Sequence, residues 1–373
     1  MYTVFVNESG NRIFGSDTML GFSIYLDTEI NSQTESYIRT MSQHGFTGVF
    51  TSVHIPEDDA SKYVERLKKL GKICMEQHLE LTVDIDYQGL KSLGCSVTDV
   101  KKLTQCGISA LRLDDGFTNS EIAILSHQLA IALNASTISE TDVQVLNVQH
   151  ANFDHMEAWH NYYPRPETGL DTDWFAEKNM WLKQQHFTVM AFVPGDINFR
   201  GPLYQGLPTL EAHRHKNSLV AANELKKNFE VEKIFIGDPL ISNKLMAQFE
   251  AFFTRNEIQL HVQTSHSELM KQIWHNRPEV ARDVVRLVES RQQNQKMSVS
   301  VQPHQTTLRK LGTITIDNED YGRYQGEIQI CKKELPLDSK VNVIGQVSQS
   351  DVVFLPLIGE KTAIKFMPME EVK

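Results

Sequence analysis

Short apolar runs alternate with amphipathic or charged stretches from residue 20 to about residue 254, the pattern of strands and helices wound around a parallel sheet. Eight runs read as strands: 20–26 (LGFSIYL), 46–53 (FTGVFTSV), 79–85 (LELTVDI), 108–113 (ISALRL), 129–134 (LAIALN), 154–160 (DHMEAWH), 187–193 (FTVMAFV) and 232–237 (EKIFIG). Between them, 57–77 carries Tyr63, Leu67, Leu70 and Ile73 at helical spacing, and 172–185 opens with Thr and Asp before Trp174, as a capped helix does. Eight such units predict an α/β fold of the (β/α)8 TIM barrel class, which typically takes about 250 residues. A doubly wound open sheet is the alternative, but SIYLDTE stands after the first strand where a dinucleotide-binding sheet would carry a glycine-rich loop.

Past residue 257 the period changes. Two helical pieces, around 265–275 and 278–291, precede period-2 segments at 297–301, 311–316, 324–331, 341–347, 351–357 and 362–367, broken by Asp-Asn, Gly and Pro turns. This predicts a small, mainly antiparallel β-barrel. The boundary falls near 255–258, giving a barrel domain over 1–256 and a second domain over 257–373, with 1–18 as an extension ahead of the first strand. That extension, MYTVFVNESGNRIFGSD onward, lacks the basic start and apolar run of a secretory signal, so a cytoplasmic location is expected.

Composition narrows the partners. The chain has 373 residues, more than one core usually supports, which agrees with two domains. No stretch approaches the roughly 18 uninterrupted apolar residues of a membrane span. With 47 acidic against 37 basic residues the formal net charge is -10, which repels a polyanion, so neither nucleic acid nor membrane is an expected partner. Cys74, Cys95, Cys106 and Cys331 are scattered without a CxxC, and no HxH or HExxH pattern occurs among the histidines, so neither metal nor cofactor is expected. The oligomeric state is left open, a homo-oligomer included.

In (β/α)8 enzymes the chemistry sits at the C-terminal ends of the strands. Those ends carry Tyr25 and Asp27, Ser52 and His54, Asp84 and Asp86, Arg112, Asp114 and Asp115, Asn134 and Ser136, Glu157, His160 and Asn161, and Asp238. Strand alternation makes Asp84, Asp114, Glu157 and Asp238 the inward-facing carboxylates, a set that suits glycoside hydrolysis by one acid and a second carboxylate. Acids after strands also cap helices, the favoured role for Asp115, and Asp86 is expected to face solvent. Two loops stand out, HNYYPRPETGL at 160–170 and RGPLYQGLPTLEAHRH at 200–215. Arg165, Arg200, Glu211, His213 and Arg214 on them, with Asn134, His160 and Asn161, make a candidate binding set, the arginines for phosphate or carboxylate oxygens. The alternative pairs Arg200 and Arg214 with Asp196 and Glu211 as surface ion pairs. In the second domain DNEDYGRYQGEIQI (317–330) offers Arg323 and Tyr324 as residues to close a substrate cleft, or simply a turn with two packed tyrosines.

The runs FTGVFTSVHIPE, RLDDGF, LNAST, HNYYPRPETGL, RGPLYQGLPTLEAHR, IGDPLIS and DNEDYGRYQGEIQI, in this order, closely resemble the bacterial 6-phospho-N-acetylmuramidase family. The resemblance covers nearly the whole chain from about residue 19. It implies a (β/α)8 barrel followed by a cyclophilin-like β-barrel, and cytoplasmic cleavage of the β-1,4 bond of N-acetylmuramic acid 6-phosphate–N-acetylglucosamine during peptidoglycan recycling. The expected partner is thus a small phosphorylated disaccharide. Two departures stand out: YLD ends the first strand where a proline is common in the family, and EAWHN carries Trp159 where a smaller residue is usual. The resemblance does not assign the acid and the nucleophile. Geometry favours Glu157 as general acid with Asp84 or Asp114 opposite, the substrate acetamido group being an alternative nucleophile. For the phosphate Arg200 and Arg214 lead, with Arg165 and Arg323 behind. Competing functions are a phosphosugar isomerase or epimerase and a non-catalytic sugar-phosphate-binding protein.

Overall fold

The computed structural model describes residues 5–6, 12–13, 18–53, 60–291 and 300–369. His54 and residues 297–299, both read as strand positions from the sequence, lie outside them, as does most of 1–18. The chain divides into two compact units, one over Ser16–Ala247 and one over Gln248–Lys373 with Met1–Gly15. No helix among the described residues is long and apolar enough to cross a membrane.

Eight parallel strands close the first unit: β1 (Met19–Ser23), β2 (Gly48–Ser52), β3 (Glu80–Ile85), β4 (Ala110–Leu113), β5 (Ala130–Asn134), β6 (Met156–Trp159), β7 (Thr188–Val193) and β8 (Lys233–Ile236). Each pairs with the next and β8 returns to β1, a (β/α)8 barrel. The strands are shorter than their apolar runs. The expected strand at 154–160 loses its start to a 3-10 turn at Phe153–His155, so Glu157 is only the second residue of β6. The helix expected at 57–77 is seen over Ala60–Glu76 and buries Tyr63, Leu67, Leu70 and Ile73. Asp171, not Thr172, caps the helix Thr172–Gln184, accepting from the backbone N–H groups of Asp173 and Trp174.

The barrel interior is filled by Phe50, Ala132, Trp159, Met190, Phe192 and Phe235. Gly21 and Gly48 make room for them: a Cβ at either would lie 2.3 or 2.5 Å from the Phe235 ring. Substituting either glycine would therefore push the ring out of a close-packed plug.

The second unit is a nearly closed, barrel-like sheet of β9 (Glu257–Thr264), β10 (Ile273–His275), β11 (Val284–Arg286), β12 (Thr313–Asp317), β13 (Ile328–Cys331), β14 (Val341–Val347) and β15 (Ala363–Pro368). Their order is β10-β15-β9-β14-β12-β13-β11, with β9–β15 the parallel pair. Three local expectations are corrected. The helix at 265–275 is a 3-10 turn at Ser267–Lys271 running into β10, and 278–291 holds β11 rather than a helix, because pairing of Val284–Arg286 with β13 overrides its helix-like spacing. The segment 351–357 is a 3-10 helix, Val352–Leu357, rather than a strand.

Candidate active site at the C-terminal mouth of the barrel

Strand register decides which side chains enter the barrel. Phe50, Trp159, Phe192 and Phe235 meet inside, and the pairs Ser52↔Asp84, Asp84↔Arg112, Asn134↔Trp159 and Met190↔Lys233 carry the same face to their neighbours. Asp84, Arg112 and Asn134 therefore point inward near the C-terminal ends of β3, β4 and β5, and Asp114 follows just past the end of β4.

Arg112 organises this mouth. It is 4% exposed. One amino group donates to Asp84 Oδ1 at 2.5 Å and the other to Asn161 Oδ1. A strand end, an arginine and the loop after β6 are thus locked together by charge-assisted bonds. Asn134 Oδ1 accepts from the Ser136 N–H at 3.0 Å. Asp114 and Asn134 line a cavity of about 270 Å³ together with Asp142 and Thr137. Leu113, Ile122, Leu133 and Ile138 supply its apolar wall, while the Phe50, Trp159 and Phe192 rings, with Tyr162 packed edge-on to Phe50 and Phe192, form the separate plug inside the barrel. The mouth thus carries Asp84 and Asn161 fixed on Arg112 and a cavity lined by Asp114 and Asn134, groups that can bind a sugar and supply a proton and a fixed negative charge.

Arg200 borders a second cavity, of about 380 Å³, over the ends of β7, β8 and β1. Its guanidinium lies 3.4 Å from the centroid of the Tyr25 ring and donates to the Tyr162 hydroxyl at 3.2 Å. Asp196, the pairing partner considered for it, instead accepts from the Ser242 N–H and hydroxyl. Among the described residues no carboxylate lies within ion-pair distance of Arg200, although Asp27 is on the cavity wall.

The remaining candidates lie elsewhere. Glu157 faces inward at the N-terminal end, beneath Trp159, whose indole N–H donates to Glu157 Oε2 at 2.6 Å. Lys233, the first residue of β8, pairs with Glu157 at 2.8 Å and with Glu80, the first residue of β3, at 3.3 Å. The aromatic plug separates it from Asp84 and Asp114, so it is not an acid at the mouth. Asp238 is fully buried and accepts from the N–H groups of Gly195, Arg200 and Leu207. It staples the loop after β7 to the end of β8; burial pushes its pKa up, against those three donors. Arg214 and Glu211 form a paired bridge, with both Nε and an amino group on the carboxylate at 2.6 Å. Arg214 also donates to the carbonyls of Gly206 and Arg165, and Glu211 accepts from the Gly169 N–H. The pair expected at the surface is thus a buried tie between the two long loops, and Arg214, 4% exposed, is spent on it. Glu211 is held down at about 2, chiefly by Arg214.

His160 and His213 are also buried in structure. His160 bonds Asn179 at 2.7 Å on the helix side of the barrel wall, and burial lowers its pKa to about 4. His213 sits 3.4 Å from Glu224 and is likewise lowered to about 4 by burial. Arg165 is exposed and contributes its carbonyl to Arg214. Arg323 belongs to the second unit, where it is exposed and donates to the Tyr324 hydroxyl at 2.8 Å. Arg112 was legible only as a strand-end residue. Its signal was a charge alternating with apolar neighbours in ALRL, which inside a barrel requires a partner.

Residues 20–251 match the family model described as 6-phospho-N-acetylmuramidase, N-terminal, and residues 254–367 match 6-phospho-N-acetylmuramidase, C-terminal. A solved structure of a conserved Enterococcus faecalis protein of unknown function is 41% identical, with 95% of this chain and 97% of that one covered and a TM-score of 0.86. An uncharacterised Bacillus cereus protein shares 23% identity and the fold, at a TM-score of 0.70 over 94% of this chain and 99% of that one. No functionally curated protein matches the sequence.

Proposed function

Because the chain belongs to the 6-phospho-N-acetylmuramidase family, we propose that it is a glycosidase that hydrolyses the β-1,4 bond of N-acetylmuramic acid 6-phosphate–N-acetylglucosamine. On this reading it serves peptidoglycan recycling in the cytoplasm, and its second unit is the family's cyclophilin-like domain. The observation that carries the reading is the inward carboxylate of Asp84 held by Arg112 at the mouth, with Asp114 lining the neighbouring cavity.

Asp114 protonates the glycosidic oxygen as the bond to the anomeric carbon breaks, and water completes the hydrolysis. Asp84, fixed by Arg112, presents a negative charge to the oxocarbenium-like centre or to the acetamido group that attacks it. Asn134 and Asn161 supply amides for sugar hydroxyls. Arg200 takes the 6-phosphate: among the described residues no carboxylate lies within ion-pair distance of it, and it borders a cavity beside β7 and β8, where barrels commonly bind phosphate. Glu157, Asp238, Glu211 and Arg214 hold the scaffold.

The test is incubation with the phosphorylated disaccharide beside its unphosphorylated twin, with products read by mass. Free N-acetylglucosamine from the phosphorylated substrate alone is expected. Equal turnover of both would remove the phosphate role of Arg200, and an isomerised disaccharide without cleavage would replace the hydrolase with an isomerase. Binding without any turnover would leave a sugar-phosphate-binding protein.

A further inference from the structure

Glu327, just ahead of β13, is buried, and its Oε2 faces three guanidinium groups from separate stretches. Arg286 stands at 3.0 Å, Arg277 at 3.7 Å and Arg291 at 3.9 Å. Arg286 also donates through Nε to Oε1 at 2.7 Å, so it alone forms the two-point pair. One carboxylate therefore stands among three cations, two of them beyond hydrogen-bond distance. The guanidinium side chains are only partly covered, at 26%, 26% and 27% exposure.

Neighbouring acids do little to close the gap. Glu279 acts on Arg286 from the surface. Asp317 is pushed up to about 7 by burial and by Glu327 and Asp338, so it is only partly charged at neutral pH. The Asp-Asn turn motif adds a rim: Arg291 donates to the Arg323 carbonyl at 2.6 Å, and the Tyr324 ring lies 5.5 Å from Arg291 and 4.9 Å from Arg323.

We propose that this cluster is an oxyanion site, taking a phosphomonoester or carboxylate of a small ligand between Arg277 and Arg291 beside Tyr324. Guanidinium forks held near one another repel, and an anion with two acceptor oxygens both neutralises them and uses the N–H groups that Glu327 does not reach. The Arg286–Glu327 pair stays intact and fixes the floor. The site lies wholly in the second unit and stands without the glycosidase reading.

Calorimetric titration of the full chain tests it, with inorganic phosphate in one arm and acetate in the other, at constant chloride ionic strength. The Arg200→Gln background removes the barrel cation from the result. Saturable binding is expected, weakened by about tenfold or more in Arg277→Gln and in Arg291→Gln. The tighter arm names the ligand class. Arg291→Lys, which keeps the charge and the fold but loses the fork, is expected to retain part of the affinity. No saturable heat in either arm, or affinities unchanged in both glutamine variants, would overturn the site.

Discussion

The two ends of the barrel hold nearly the same chemistry for different ends. At the N-terminal end Lys233 sits between Glu157 and Glu80, at 2.8 and 3.3 Å. At the C-terminal end Arg112 sits between Asp84 and Asn161. Each is a cation bonded to an inward carboxylate in a low-exposure setting. Between them lies the Trp159, Phe235, Phe50 plug, and that layer alone decides which group a substrate can meet. A charged residue on a barrel strand therefore means stability or chemistry according to its height along the strand, not its type.

The largest effect is expected at the mouth. Asp84→Asn should lower kcat of the folded enzyme by about 10²–10⁴, and because it also leaves buried Arg112 without its carboxylate it should cost about 2–4 kcal/mol of stability as well. Near-normal turnover in that variant would erase the contrast between the two ends. At the other end Lys233→Met should cost stability alone. It leaves Glu157 without its cation under the plug, for a loss of about 2–4 kcal/mol in denaturant unfolding, with kcat of the folded enzyme unchanged. A fall in kcat without a fall in stability would show that the plug does not insulate the lower end.

The barrel was readable because period and strand count survive without tertiary information; the height of a residue within its strand was not. Glu157 reads as a mouth residue because DHMEAWH has the pattern of one strand, whereas the turn at Phe153–His155 starts the strand late and drops Glu157 one layer. Asp238 read as a candidate acid for its place at a strand end, but the backbone N–H groups it collects come from a loop some forty positions earlier, invisible to local pattern. Asp84 is legible because alternation along a strand needs no knowledge of its neighbours, and the register with Ser52 and Arg112 keeps it on the inner face.

Two smaller effects sharpen the comparison between groups that act and groups that hold. His160 is buried uncharged with its pKa at about 4, while the unfolded chain takes up that proton near pH 6.5. Its contribution is complete above about pH 6.5 and is lost as pH falls toward 4, at most about 3 kcal/mol. Unfolding free energy should thus fall more steeply over that window in the parent chain than in His160→Gln; parallel curves would mean the ring is charged in the folded state. Asp238→Asn should weaken the staple of the loop after β7 and raise KM by roughly tenfold with a smaller change in kcat, through the loss of charge-assisted bonds worth about 1–2 kcal/mol. An unchanged KM would detach that loop from substrate binding.

The most direct measurement sets Asp114→Asn beside Glu157→Gln in one assay, release of N-acetylglucosamine from the phosphorylated disaccharide at saturating substrate. If the mouth carries the chemistry, Asp114→Asn loses turnover by two orders of magnitude or more, as expected for a general acid, and Glu157→Gln keeps it. Turnover retained in Asp114→Asn and lost in a well-folded Glu157→Gln would contradict it.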